Sequence, residues 1–177
     1  PILAGVWNMT KFTAQNGHGN TRFVDSVELF KSFSDDDQDF LTKSTVIWRK
    51  PSPSGEGPYY TKVVDSHPLS GSPTLRLETD QGCYLFPELY AWNGESVTEE
   101  QKTRFKALQA QLKNTLNTAE DIRYVQEWQE GDILIVDLFR MYHAVMCWFS
   151  YGERMFTGMG IRPKNYDNSM YTEDVLK

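Results

Sequence analysis

Between Trp128 and Arg154 the chain reads WQEGDILIVDLFRMYHAVMCWFSYGER, and here the residues able to do chemistry gather. His143 lies six residues after Asp137 and opens an apolar, aromatic run. Arg154 follows eleven residues later, at the head of another run. An imidazole between apolar strands can ligate a metal through a neutral ring nitrogen. A guanidinium partly out of water needs an anion, and its planar fork matches a carboxylate. These residues point to a metal ligand near an anion site. Two ordinary alternatives stand beside that reading. His143 could be a core histidine bonded through both nitrogens, and Arg154 could pair with Glu153 or Asp137. The other histidines read differently: His18 as a solvated residue of a Gly-rich loop, His67 as a structural residue before Pro68 in a turn.

Other chemistries find no support. The sequence holds no GxSxG, HExxH, P-loop or GxGxxG pattern, and Asp35-Asp36-Asp37 reads as a solvated helix start. The formal charge of −6 gives no basic footprint for nucleic acid. No apolar run approaches the roughly 18 residues that cross a bilayer, and no signal peptide is visible. Cys83 and Cys147, both in apolar surroundings, read as reduced thiols of a cytoplasmic protein, with one disulfide as the alternative. At 177 residues with 40% hydrophobic content, one globular domain over residues 1–162 is expected, followed by a peripheral tail at 163–177. Aromatic residues make up 14% of the chain, enough to build a core or pocket largely from rings. Trp7, Tyr59, Tyr60, Trp92 and Trp148 are candidates for lining such a pocket.

The elements that must position these residues are mostly short strands. Strands are expected over 2–9, 44–49, 59–65, 74–78, 122–128, 132–137, 143–149 and 154–161, and order resumes at Thr21–Val24 after the loop at 14–20. Ile133–Val136, apolar throughout, suits a strand buried on both faces. Two short helices are expected, one capped by Asp25 or Ser26 and carrying Val27, Leu29, Phe30 and Phe33, the other over 35–42 capped by Ser34. The strongest helix signal covers 99–116, where Thr98 and Gln101 form a capping box and Phe105, Leu108, Leu112 and Leu116 share a face. Residues 50–58 read as a mobile loop and 81–95 as a surface or pocket-lining loop. Many strands with one amphipathic helix indicate a β-sandwich or barrel with helical decoration.

The C-terminal stretch resembles the Fe(II)- and 2-oxoglutarate-dependent dioxygenases of the taurine dioxygenase (TauD/TfdA, clavaminate synthase-like) family. The resemblance rests on Trp128, the Gly131-Asp132 turn, the strand Ile133–Val136, Asp137, His143 and Arg154, in that spacing. Upstream, Gly19-Asn20-Thr21 looks like the family's Gly-Gly-x-Thr segment, and His67-Pro68…Gly71 like its His-Pro-x-x-Gly turn. The resemblance implies a double-stranded β-helix (jelly-roll) fold. It implies that His143 is the distal histidine of the iron site. Arg154 and Thr21 would bind the distal carboxylate of 2-oxoglutarate. The implied reaction converts 2-oxoglutarate to succinate while hydroxylating a C–H bond of a small-molecule substrate.

The family's upstream His-x-Asp or His-x-Glu pair occurs nowhere in this sequence, and counting back from Thr21 places it before Pro1. The chain opens on Pro1 within an apolar strand. The expectation is an N-terminally truncated dioxygenase that binds iron weakly or not at all and turns over no 2-oxoglutarate. An exposed sheet edge would then favour pairing between copies, a homo-oligomer. Leu138 stands where the family commonly has Asn, and Gly158 where taurine dioxygenase has a second Arg, so taurine is a poor candidate substrate. Two rival readings are a non-catalytic β-sandwich module binding a small molecule and a cupin-like metal protein without cosubstrate.

Overall fold

Short runs rich in β-branched and aromatic residues fold here into strands. Those at Thr21–Asp25, Ser44–Trp48 and Glu88–Trp92 bury alternate or successive side chains, while that at Arg154–Ile161 stays largely exposed. The computed structural model describes residues 3–14, 16–48, 58–77, 87–146 and 152–161. In chain order the elements are β1 (Ala4–Phe12), β2 (Thr21–Asp25), α1 (Ser26–Lys31), α2 (Asp35–Thr42), β3 (Ser44–Trp48), β4 (Tyr59–Lys62), β5 (Val64–Ser66) and β6 (Pro73–Leu75). Then come β7 (Glu88–Trp92), β8 (Glu95–Ser96), α3 (Glu99–Thr118), β9 (Arg123–Gln126), β10 (Ile133–Asp137), β11 (Met141–Val145) and β12 (Arg154–Ile161). They fall into two compact units. Among the described residues, one draws on the chain up to Ser26 and again on residues 120–161, the other on Val27–Ala119.

The first unit is a sandwich of two antiparallel three-stranded sheets, ordered β10-β1-β12 and β11-β2-β9. Register decides which side chains meet between them. In one sheet Trp7 lies opposite Leu134 and Gly158, and Met9 opposite Phe156. In the other, Phe23 lies opposite His143 and Tyr124, and Thr21 opposite Val145 and Gln126. Met9 and Phe23 are almost wholly buried.

One turn and one ion pair fix that register. Asp137 Oδ1 accepts the N–H groups of Phe139 and Arg140, each at 3.0 Å, closing the β10–β11 turn. Arg140 then forks onto the Asp25 carboxylate, its Nε 2.9 Å from Oδ1 and 3.0 Å from Oδ2, while its Nη2 also reaches Oδ2. The Ser26 N–H donates to the Arg140 carbonyl at 3.1 Å. The end of β2 is thereby tied to the start of β11, which sets His143 beside Phe23 rather than one residue away.

In the second unit, β4-β3-β7-β8 forms a four-stranded sheet, and β5 pairs with β6. Ser34 caps α2, accepting the Asp37 N–H at 3.2 Å. The capping box of Thr98 and Gln101 opens α3 as expected, and Phe105, Leu108 and Leu112 are its buried residues. Arg104 reaches from α3 to Asp36 and to Asp37, the latter at 2.7 Å, over the Phe40 ring. That hydrogen bond holds the Asp37 carboxyl below the usual carboxylate range. His67 is structural, as read: its buried Nδ1 accepts the N–H groups of Leu69 and Ser70 at 3.3 and 3.2 Å.

Several expectations are corrected. β10 is not buried on both faces. Val136 is 7% exposed, but Ile133 and Ile135 are 68% and 72% exposed, because β10 pairs with β1 alone among the described residues and only one of its faces meets the other sheet. Residues 88–96 are not a loop but the hairpin β7–β8. Its signal was Asn93-Gly94, both at positive φ (51° and 78°), the two-residue turn that suits a tight hairpin. β6 ends at Leu75, β9 at Gln126, and β11 begins two residues before His143. The expectations for 50–57, 81–86, Cys83, Cys147, Trp148 and the tail 163–177 lie outside the described residues.

The ion pair of Arg140 with Asp25 is the cross-link most open to test. Asp25→Ala should lower unfolding free energy by about 1–2 kcal/mol, the range for a lost charge-assisted hydrogen bond. Urea denaturation measures it, and an unchanged midpoint would show that the turn holds register without this pair.

Candidate functional site

Thr21 opens β2 and is 1% exposed. The turn before it needs Gly19, whose φ is +76°, a conformation few other residues adopt cheaply. The Asn20 carbonyl accepts the Met146 N–H at 2.7 Å, and the Met146 carbonyl accepts the Gly19 N–H at 3.1 Å, so this turn is stitched to the end of β11. Thr21 Oγ1 receives two donors, Trp128 Nε1 at 2.9 Å and Arg154 Nη2 at 2.8 Å.

Trp128 is 4% exposed and comes just before the Gln129–Asp132 turn. Asp132 Oδ2 accepts the Gln129 N–H at 2.8 Å. Gly131, at φ +94°, donates its N–H to the Met9 carbonyl at 2.8 Å. The Met9 N–H in turn donates to the Asp132 carbonyl at 2.8 Å. The Gly-Asp pair thus docks the turn on β1, and the docked turn holds the indole over Thr21.

Arg154 begins β12, opposite Phe12 of β1. Its guanidinium lies 5.0 Å from the Phe156 ring centre and 5.9 Å from that of Trp128, faces that favour a cation. Burial lowers its pKa, yet an arginine stays charged at any physiological pH. The two acids weighed as its partners are engaged as follows: Glu153 pairs with Lys11, and Asp137 closes the β10–β11 turn. A fixed cation beside a buried hydroxyl is a donor set suited to an anionic oxygen.

His143 sits on β11 in an aromatic setting. The Trp7 ring is 5.1 Å away, edge-on, and the Phe23 ring 6.1 Å away. Trp7 also contacts Phe156 at 5.9 Å, which links the imidazole to the surroundings of Arg154 through two rings. His143 is an exposed residue of β11, with these rings against one side of it. Burial lowers its pKa, the positive charge of Arg154 adds to that, and a hydrogen bond with the Met141 backbone opposes it. The imidazole is therefore neutral near pH 7, the form that ligates a metal.

Thr21, Arg154 and Trp128 thus come together directly, and His143 joins them through Trp7 and Phe156. As an iron site the arrangement is incomplete. A neutral imidazole suits Fe(II), but a facial triad needs three protein ligands. Among the described residues no three His, Cys, Asp or Glu side chains gather. The neutral imidazole of His143 has the chemistry of one such ligand.

Of the described aromatic residues proposed to line a pocket, only Trp7 stands beside His143. Tyr59 stacks on Trp48, Tyr60 meets Tyr90 and Trp92 stacks on Phe40, all within the other unit. Phe156 was missed. Its signal was the alternation Arg154, Phe156, Gly158 along one strand face. A cavity of about 520 Å³ lies between β7 and α3, lined by Leu89, Phe105 and Ala110 with Lys102, Lys106 and Lys113. Its lining contains neither imidazole nor guanidinium. Among the described residues no helix is long and apolar enough to cross a membrane.

A titration checks the electrostatics. Followed by NMR, the His143 ring should protonate below the 6.5 of an ordinary imidazole. The unfolded chain would then take up this proton first, so His143 should cost stability as pH falls through about 6.5. A folded-state value at or above the ordinary one would contradict the ring-crowded environment.

Comparison with known proteins agrees with this geometry. The family described as "Taurine catabolism dioxygenase TauD, TfdA family" matches residues 10–159. The 3-((Z)-2-isocyanoethenyl)-1H-indole synthase of Fischerella ambigua (strain UTEX 1903) is 28% identical over 130 residues, 71% of this chain and 45% of that protein. The crystal structure of a taurine dioxygenase from Burkholderia xenovorans superposes with a TM-score of 0.70 at 15% identity, covering 91% of this chain and 52% of that one. That of AAD-2 in complex with Mn(II) and N-oxalylglycine gives 0.66 at 15% identity, covering 91% and 63%. The chain spans about half the length of most of these relatives. The likeness in structure establishes the jelly-roll fold expected from the sequence. Matched along most of its length, the chain belongs to the TauD/TfdA dioxygenase family.

Proposed function

We propose that this chain carries the cosubstrate-binding part of an Fe(II)- and 2-oxoglutarate-dependent dioxygenase. In this reading Arg154 and Thr21 bind the distal carboxylate of 2-oxoglutarate, and His143 gives iron one of its ligands. The observation that carries it is the 2.8 Å hydrogen bond from Arg154 Nη2 to the buried Thr21 hydroxyl, in a chain whose fold is shared by a "Putative Alpha-ketoglutarate-dependent Taurine Dioxygenase" from Burkholderia xenovorans. The AAD-2 structure supports it by analogy. N-oxalylglycine, named with that protein, is a dicarboxylate of the same length as 2-oxoglutarate.

Each residue has a physical task. Arg154 supplies a permanent charge where water is scarce, so its pull on a carboxylate is strong. Thr21 adds a directional donor. Trp7 and Phe23 lie beside His143, and partial desolvation with the charge of Arg154 favours its neutral form. Iron, when bound, supplies oxygen activation. The overall balance is 2-oxoglutarate, O2 and a C–H substrate giving succinate, CO2 and the hydroxylated product.

The substrate is a small organic molecule with a flat, apolar part and not a sulfonate. A Cβ at Gly158 would meet Trp7 Cδ1 at 2.8 Å, so the indole fills the space where taurine dioxygenase has a second Arg. The rings of Trp7, Phe23 and Phe156 beside the site suit an aromatic group. The name of the Fischerella relative, which makes an isocyanoethenyl indole, supports the same class.

Two measurements test the proposal. By calorimetry the chain should bind 2-oxoglutarate, and Arg154→Ala should weaken binding by about tenfold or more, as expected for a lost hydrogen bond to a charged group. An unchanged affinity would remove Arg154 from the clamp. With iron and ascorbate added, the 177-residue chain alone should form no succinate, because its sequence holds no His-x-Asp or His-x-Glu pair to join His143. Succinate formation would contradict that assignment.

A further inference from the structure

We infer that Trp128 is a positioning residue that sets the polarity of the Thr21 hydroxyl, so that its proton is offered only to the ligand. The inference rests on the carboxylate clamp proposed above. A threonine hydroxyl has one proton to donate and two lone pairs that accept. Trp128 Nε1 at 2.9 Å and Arg154 Nη2 at 2.8 Å occupy both lone pairs of Thr21 Oγ1. An indole and a guanidinium have donors and no acceptors, so neither takes the Thr21 proton. Among the described residues no other hydrogen bond of this hydroxyl is formed. With two of its tetrahedral directions filled, the proton is left to the remaining one. A carboxylate oxygen accepts there, whereas an ammonium or amide N–H finds no lone pair to meet.

The choice of tryptophan follows. A glutamine, serine or histidine at 128 could accept the Thr21 proton and turn it from the ligand. A phenylalanine would leave one lone pair open and the hydroxyl free to rotate. Donation into the hydroxyl oxygen also polarises the O–H bond and strengthens its own donation. The indole is held for this task from its backbone, through the docked Gln129–Asp132 turn and a long contact of the Trp128 N–H with Asn20 Oδ1 at 3.4 Å.

The test is a double-mutant cycle on 2-oxoglutarate binding, read by calorimetry with the chain alone. Trp128→Phe should weaken binding about three- to tenfold, the range of one neutral hydrogen bond. Because a buried tryptophan contributes to folding, the same position should also be replaced by β-(3-benzothienyl)alanine, which keeps the bicycle and has sulfur in place of N–H. That isostere should weaken binding similarly while lowering the thermal midpoint by no more than one lost hydrogen bond would and leaving the circular-dichroism spectrum of the fold intact. In a Thr21→Val background neither replacement should weaken binding further, and Thr21→Ser should retain the Trp128 effect. Wild-type affinity in the isostere, or an equal loss in the Thr21→Val background, would overturn the inference while the clamp stands. If the unsubstituted chain does not bind 2-oxoglutarate, the clamp fails and this inference fails with it.

Discussion

A single hydroxyl oxygen joins the two sheets of the first unit at the site. Thr21 comes from β2, and the donors to it come from the start of β12 and from the turn before β10. Each donor can arrive only if its element is in register. Arg154 needs β12 aligned on β1, where a register irregularity between Met9 and Lys11 brings it opposite Phe12. Trp128 needs the Gly131 turn docked on Met9. Because Thr21 is buried, an unmet donor there would be costly, and this makes the arrangement specific rather than merely compact.

The same geometry separates two chemical environments a few ångströms apart. Around Thr21 the groups are N–H donors and one permanent charge. Around His143 they are rings, from Trp7 and Phe23. The first environment favours an anion and the second a neutral imidazole. Gly158 helps make the second, because its missing side chain lets the Trp7 indole lie flat against β12. A molecule lying across both would have a carboxylate at one end and a less polar portion near the imidazole.

Much of this was legible in the sequence, for identifiable reasons. The capping box at Thr98 and Gln101 and the Ser34 cap are local, and local signals survive into the fold. The positions of Thr21, His143 and Arg154 were legible as a spacing. Their direct meeting was not, since Thr21 and Arg154 are 133 residues apart and register alone brings them together. Trp128 was visible as part of the pattern, but its indole N–H on Thr21 is a tertiary fact. The hydrophobic period misled at β10, where Ile133 and Ile135 look like core and are exposed. At 88–96 a strong hairpin signal, Asn93-Gly94, was outweighed by surrounding Gly, Pro and aromatic residues.

The central claim is that a carboxylate docks at Thr21 and Arg154, under the Trp128 indole. The most direct measurement is a 15N-edited NMR titration with 2-oxoglutarate that follows the indole N–H resonances. The account predicts a saturable shift of the Trp128 resonance, with Trp48 and Trp92 in the other unit unmoved. A Trp128 resonance that stays fixed at saturation, or shifts confined to Trp48 and Trp92, would contradict it.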